Sequence, residues 1–347
     1  MNDFLRAILE GINSIVHNHA WSIVIFTILI RFILMPFDIK SRKGMRQMQK
    51  LQPELNRLQK KYGDDKQKLQ MKQSELFRKE HYSPLSGCLP MLLTLPILWC
   101  MFNAMRAIAN EETVREAFYY VANLQPPQES WLWVKNIWHP DSLFVSIAPD
   151  LSSLTVIGQD VWQKVYESLD ADMVQQIIAN IPNYVDGMID FSTSDAAKTT
   201  IQTLFNAMEL QPVYLAASEA VPGWQNLNFF LFSVTLYKQY NGLLILPILA
   251  GLSQVLMTKL TPGADASANT QTNPSDPNAA SQQSMNSMMK YLFPCISVFF
   301  CLTSNAGFAV YWVTSNIIAT IQNYAINRYF EKKDQLAAAA SDEGDVK

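Results

Sequence analysis

The chain has 347 residues, a formal net charge of −3 and four cysteines. Its mean hydropathy of +0.02 would by itself suit a soluble protein. No cysteine pair has CxxC spacing and no histidine falls in an apolar run, which speaks against a zinc site or a disulfide framework.

The average conceals strong segregation. Apolar runs at 20–39, 85–107, 242–260, 288–303 and 306–328 alternate with very polar stretches. About 20 mostly apolar residues span a bilayer as a helix. The shorter run at 288–303 must cross upright or through a thinned bilayer. The pattern predicts an all-α membrane protein. It has five transmembrane helices, a cytoplasmic helical hairpin and an inserted, mostly helical external domain.

Residues 1–18 place Phe4, Leu5, Ile8, Leu9, Ile12 and Ile15 at helical spacing, which reads as an amphipathic interfacial helix. Asp3 and Glu10 interrupt any apolar core of a cleavable signal peptide. The first span follows at 19–39. The segment 40–84 is dense in lysine and arginine, whereas 108–240 carries few cations and many acids. Positive charge near span ends marks the cytoplasmic side. The N-terminus is then outside and the C-terminus inside, with Arg328, Lys332 and Lys333 after the last span.

Within 40–84, Met45, Met48, Leu51, Leu55, Leu58 and Tyr62 form one helical stripe. Gly63 suits a C-cap, Asp64 the next N-cap, and Pro84 ends the return helix. The second span is 85–107. The external segment 108–241 contains helical-looking stretches, VWQKVYESL and DMVQQIIANI. Its part 145–235 reads as a separable accessory insertion, with Trp162, Tyr184 and Trp224 suited to the bilayer interface. The third span is 242–260. A Pro-, Asn- and Ser-rich stretch at 261–287 reads as a flexible cytoplasmic loop. Spans four and five are 288–303 and 306–328. The tail, 329–347, reads as cytoplasmic and disordered from 331.

Arg31 is the most informative residue. It sits in TILIRFILM, near the middle of the first span. A cation there costs about 2.5–3.5 kcal/mol on the insertion scale. Its guanidinium does not deprotonate. The spans contain no acidic residue apart from Asp38, at the end of the first. A hydrated cavity is the remaining solution, and snorkelling toward the cytoplasmic interface is the alternative, although Arg31 sits deep for it. Thr27, Thr94, Asn103, Ser253 and Gln254 offer polar groups for it. Trp312, Asn316, Thr320 and Asn323 share one face of the fifth span. Each Thr or Ser alone also fits a packing residue bonded to its own helix. Asn and Gln also fit ordinary interhelical hydrogen bonds. One cation and water halfway across would ease the passage of a polar, acidic segment, while its apolar part slides into lipid. Burial of about 20 apolar residues supplies the drive. No Walker-type phosphate loop occurs.

Several motifs together resemble the YidC/Oxa/Alb membrane insertases, especially the five-span bacterial form. They are TILIRFILMPF, MQKLQPELNRLQKKYGDDKQKLQ, SPLSGCLPMLLTLPILWCMFNAM, WLWVKNIWHPD, LLILPILAGLSQVLMTK and FPCISVFFCLTSNAGFAVYWVTSNIIATIQNY. The resemblance implies a bacterial inner-membrane protein without catalytic activity or cofactor. Its hydrophilic groove would be open to cytoplasm and lipid, with Arg31 lining it. Thr27 and the Tyr311–Trp312 pair would lie along the client's path, with Gln254 a further groove position. The partners implied are nascent membrane proteins, the ribosome, the Sec translocon and membrane lipids. No specific nucleic acid is implied, and the protein would act as a monomer. Two features depart from the family. Roughly 90 extra residues separate WLWVKNIWHPD from LLILPILAG, and the tail lacks a long basic extension.

Two other readings compete. An anion transporter or channel could use Arg31, although neither internal repeats nor intramembrane acids are visible. A membrane-anchored enzyme would need a nucleophile motif in 108–240, and only His139 stands out there.

Overall fold

A computed structural model of the protein describes residues 2–63, 65–82, 89–229, 232–259 and 291–344. The described chain is mostly helical. Its helices are α1 (Asn2–Val16), α2 (His19–Tyr62), α3 (Lys66–Lys79), α4 (Leu89–Val121), α5 (Leu151–Thr155), α6 (Gln159–Glu167), α7 (Ala171–Asn180), α8 (Ser194–Met208), α9 (Pro212–Ser218), α10 (Ile245–Lys259), α11 (Phe293–Thr303) and α12 (Ala306–Gly344). Strands β1 (Leu227–Phe229) and β2 (Phe232–Val234) pair antiparallel, with Leu227 opposite Val234. Among the described residues, α2 is long and apolar enough to cross a membrane, and α10 and α11 are shorter apolar helices. The expected loop at 261–287 and Pro84 lie outside the described residues, as does the start of the second and fourth spans.

The chain divides into two compact units. One is Met1–Ile23, Cys100–Ile248 and Phe299–Val310; the other is Val24–Trp99, Leu249–Val298 and Tyr311–Lys347.

In the first unit, α6 and α7 cover the two stretches expected to be helical. Asp150, Asp170 and Thr193 accept N–H bonds at the starts of α5, α7 and α8. These helices pack around one apolar core. Trp162 is 0% exposed, stacks on Phe191 and meets Phe118 edge-on. The expectation that Trp162 lies in the bilayer interface is therefore corrected. An indole of this size, covered on both faces, is worth more as core than at a surface. Trp224 does remain half-exposed.

The core is not confined to 145–235. Val114, Ala117, Phe118 and Val121 of α4 belong to it, and Asn180 Nδ2 donates to the Val121 carbonyl at 2.9 Å. Glu111 of α4 takes a bidentate pair from Arg6 of α1 at 2.8 and 2.9 Å, and a third bond from Lys164 of α6 at 2.7 Å. Those hydrogen bonds, led by Arg6, hold its carboxyl down at about 2. The helices of 145–235 therefore share their core with the end of α4. Trp162→Ala should cost about 3–5 kcal/mol of unfolding free energy. Denaturant titration followed by circular dichroism checks this, and a loss under about 1 kcal/mol would contradict the core assignment.

The residues 129–141 form a clasp. The Glu129 carboxylate accepts from the His19 backbone N–H and lies 2.8 Å from its ring Nδ1. Asp141 accepts from the N–H groups of Leu244 and Leu246 at 3.1 and 2.7 Å, and from Trp133 Nε1. The carbonyls of Ile137 and His139 accept from Gly307 and Ala306, both at 2.9 Å. The first turns of α2, α10 and α12 thus each find an acceptor in this one segment. Gly242 is required there, because a Cβ would come within 2.0 Å of Asp141 Oδ1.

Behind the clasp, Asn241 Nδ2 donates to three of its carbonyls, those of Asn136, His139 and Pro140. Glu116 of α4 accepts from Asn136 Nδ2 and lies 2.7 Å from His139 Nε2, with both partners buried. Burial opposes the imidazolium charge, but the charge of Glu116 and its hydrogen bond outweigh it, so the pKa of His139 rises above 6.5. A raised folded pKa gives stability that is complete below the unfolded value and lost as pH climbs through the folded one. Melting temperature should therefore fall as pH rises from 6.5, and fall less steeply in His139→Gln. Parallel slopes for the two proteins would contradict this.

In the second unit, α2 runs unbroken past residue 39, so the first span and the first hairpin helix are one 44-residue helix containing Pro36 and Pro53. The hairpin closes through Leu51, Leu55 and Leu76, flanked by Met48, Leu58, Phe77 and Tyr82. Asp65 caps α3, accepting from Lys68 N at 3.0 Å. It takes the role expected of Asp64, which lies outside the described residues. The return helix ends at Lys79. The tail was expected to be disordered, yet α12 is helical to Gly344. Asp334 contacts Arg46 at 3.2 Å and Lys50 at 3.7 Å, and Arg46 covers the Phe330 ring. These contacts, with an Ala-rich sequence, favour helix over coil.

Candidate functional site

The site centres on Arg31, half-buried on α2. Its Nε donates to Ser315 Oγ of α12 at 3.0 Å, and its Nη2 to the same oxygen. Among the described residues, no carboxylate lies within salt-bridge distance of it. A second bond joins the same helices, from Gln322 Nε2 to the Arg31 carbonyl at 3.1 Å. One turn before Arg31, Thr27 is buried.

On α12, Tyr311, Ser315 and Gln322 are buried and share one face by their spacing. Asn316 is buried and donates through Nδ2 to Ser253 Oγ of α10 at 3.1 Å. Gln254 and Thr258 are buried one turn apart on α10. Trp312 is half-buried. Two further polar atoms, Thr320 Oγ1 and Gln322 Oε1, are buried with no hydrogen-bond partner among the described residues.

Arg31, Thr27, Gln254, Tyr311, Trp312 and Asn316 thus all fall in the second unit. Asn103 belongs to the first unit and is half-buried. The side chain of Thr94 lies outside the described residues. Ser315 and Gln322 were missed. The sequence reading followed the face of Trp312, Asn316 and Thr320, one residue round the helix. The seven-residue spacing from Ser315 to Gln322, which keeps both on one face, was the signal available.

The family model described as 60Kd inner membrane protein matches residues 11–196 and 203–333. The chain belongs to this family. Its motifs are those of YidC/Oxa insertases. Among relatives, the membrane protein insertase YidC of Fusobacterium nucleatum is 38% identical over 145 residues, which cover 42% of this chain and 63% of that protein. The protein of the same name from Caldanaerobacter subterraneus is 35% identical over 152 residues, 44% of this chain and 66% of that protein. That of Anaeromyxobacter dehalogenans is 33% identical over 153 residues, covering 44% and 25%. The similarity thus spans less than two thirds of the first of these relatives.

The Asn316–Ser253 bond gives a test of the site's packing. A polar bond between membrane helices is worth about 0.6 kcal/mol on average and up to about 1.7. Asn316→Ala and Ser253→Ala should each cost an amount in that range, and the double variant little more than either. Fully additive losses in a detergent unfolding titration would show that the two side chains are not coupled.

Proposed function

We propose that the protein is an insertase of the bacterial inner membrane, one that receives nascent membrane proteins and releases their transmembrane segments into lipid. It has five spans, at 19–39, 85–107, 242–260, 288–303 and 306–328, with the N-terminus outside and the C-terminus in the cytoplasm. The residues around Arg31 line its client groove. The hairpin at 40–84 meets the ribosome or the client, the Sec translocon is a further partner, and the protein works as a monomer without ATP.

The observation that carries this reading is the state of Arg31. Its guanidinium is held by a neutral hydroxyl, and among the described residues no acid lies within contact to neutralise it. It therefore keeps a full positive charge for a passing group. Thr320 Oγ1 and Gln322 Oε1, buried and unbonded, support a wet groove, since buried polar atoms call for water or a ligand. The basic hairpin supports a cytoplasmic docking role. A cleft of about 370 Å³ between its helices is lined by Arg57, Lys61, Lys72 and Lys79, against Glu54 and Glu75. No nucleotide is required, because the transfer of about 20 apolar residues into lipid is itself downhill.

The test uses purified protein in liposomes and a client with an acidic translocated segment. Arg31→Ala should reduce protected, inserted client by roughly tenfold, about the worth of one charge-assisted hydrogen bond. Arg31→Lys should keep most of the activity. Equal insertion by wild type and Arg31→Ala would refute the role given to the charge. Anion flux without insertion would favour a channel.

A further inference from the structure

The inner face of α2 carries a second arginine. Arg42 lies 11 residues after Arg31, about three full turns, so both side chains leave the helix within roughly 20° of one another. Along the axis they are about 16 Å apart. Asp38 sits between them on the same face.

Arg42 is unlike the other cations near the end of the first span. Lys40 and Lys43 are exposed, as charges that only orient a helix should be. Arg42 is 8% exposed. Its Nη1 is buried and, among the described residues, has no hydrogen-bond partner. Asp38, one turn earlier, is close enough for its charge to be felt but does not take that N–H. An orienting charge has no reason to be buried, and Asp38 does not take up the buried Nη1 donor.

We propose that Arg42 is a second carboxylate-receiving point of the Arg31 groove, at its cytoplasmic end. An Asp or Glu of the incoming segment meets Arg42 first and Arg31 second. This rests on the insertase reading. The planar guanidinium suits a carboxylate, which takes two parallel N–H bonds. Asp38, placed between the two cations, keeps the acidic group from resting at Arg42 by like-charge repulsion. A lipid phosphate is the less favoured ligand, because it would meet exposed Lys40 and Lys43 before a buried arginine.

The experiment compares two clients that differ only in Asp or Asn within the translocated segment. Each is inserted by full-length protein in liposomes, and the readout is the ratio of Asp-client to Asn-client insertion. That ratio does not depend on how much of a variant is folded. Arg42→Gln should lower the ratio by roughly an order of magnitude. Arg42→Lys should restore most of it. An unchanged ratio in Arg42→Gln overturns the proposal, whether both clients insert normally or both decline equally. A drop in ratio that occurs only with anionic lipid, and vanishes in zwitterionic liposomes, also overturns it in favour of a headgroup. Failure of the wild type to insert either client would instead sink the insertase reading. A ratio that responds to Arg31→Ala but not to Arg42→Gln would sink this inference alone.

Discussion

A helix leaves its first N–H groups without partners inside itself, and in a membrane protein those groups have few places to go. Three helices of this chain, α2, α10 and α12, place part of these donors on one segment, while Asn18 and Asn305 cap others. Residues 129–141 offer the carboxylates of Glu129 and Asp141 and the carbonyls of Ile137 and His139. The carboxylates answer the donors and also complement the positive ends of two helix dipoles. Such a segment works only if it is rigid. That requirement accounts for the buried shell behind it: Asn241 on three carbonyls, Glu116 on Asn136 and His139, and Trp133 on Asp141. Leu244, a non-glycine residue at φ 63°, is held in that uncommon conformation next to its bond to Asp141.

The second unit follows a different rule. In the clasp every polar group named above has its partner, as stability demands of a buried network. Around Arg31 and Arg42 the bonding is incomplete. Arg42 Nη1, Thr320 Oγ1 and Gln322 Oε1 are buried and open. Arg31 rests on one serine hydroxyl. A site that binds one ligand tightly would be lined by fully placed donors. The path for many different segments proposed above would need contacts that are easily exchanged. Open donors and neutral partners would suit that need, at some expense in stability.

The sequence made the apolar runs legible because a membrane-spanning helix is a long, local pattern. Arg31 was legible because a charge in such a run has no ordinary explanation. Ser315 was not, since a serine in a membrane helix usually bonds its own backbone and gives no sign of its partner. Arg42 looked like one cation among many, and only its burial sets it apart from Lys40 and Lys43. The clasp was visible as the string WLWVKNIWHPD, but its meaning was not. Asp141 and Asn241 act on partners about 100 residues away along the chain. Trp162 was misread because a tryptophan beside polar neighbours suits an interface and a core equally well until its contacts are known.

The external segment has a physical reason to exist that follows from α4. This helix continues well beyond the 85–107 span, to Val121. Its extension presents Val114, Ala117, Phe118 and Val121, spaced three and four residues apart, as one apolar stripe. Wherever it meets water, such a stripe cannot stay uncovered. A short connection to α10 would leave it in water. The helices α5 to α9 cover it, with Trp162 and Ile177 against it in one core. The charged side of the same extension is used as well. Glu111, held ionised by Arg6, joins α1 to α6 through Lys164. The extension of α4 and the helices α5 to α9 therefore share one core.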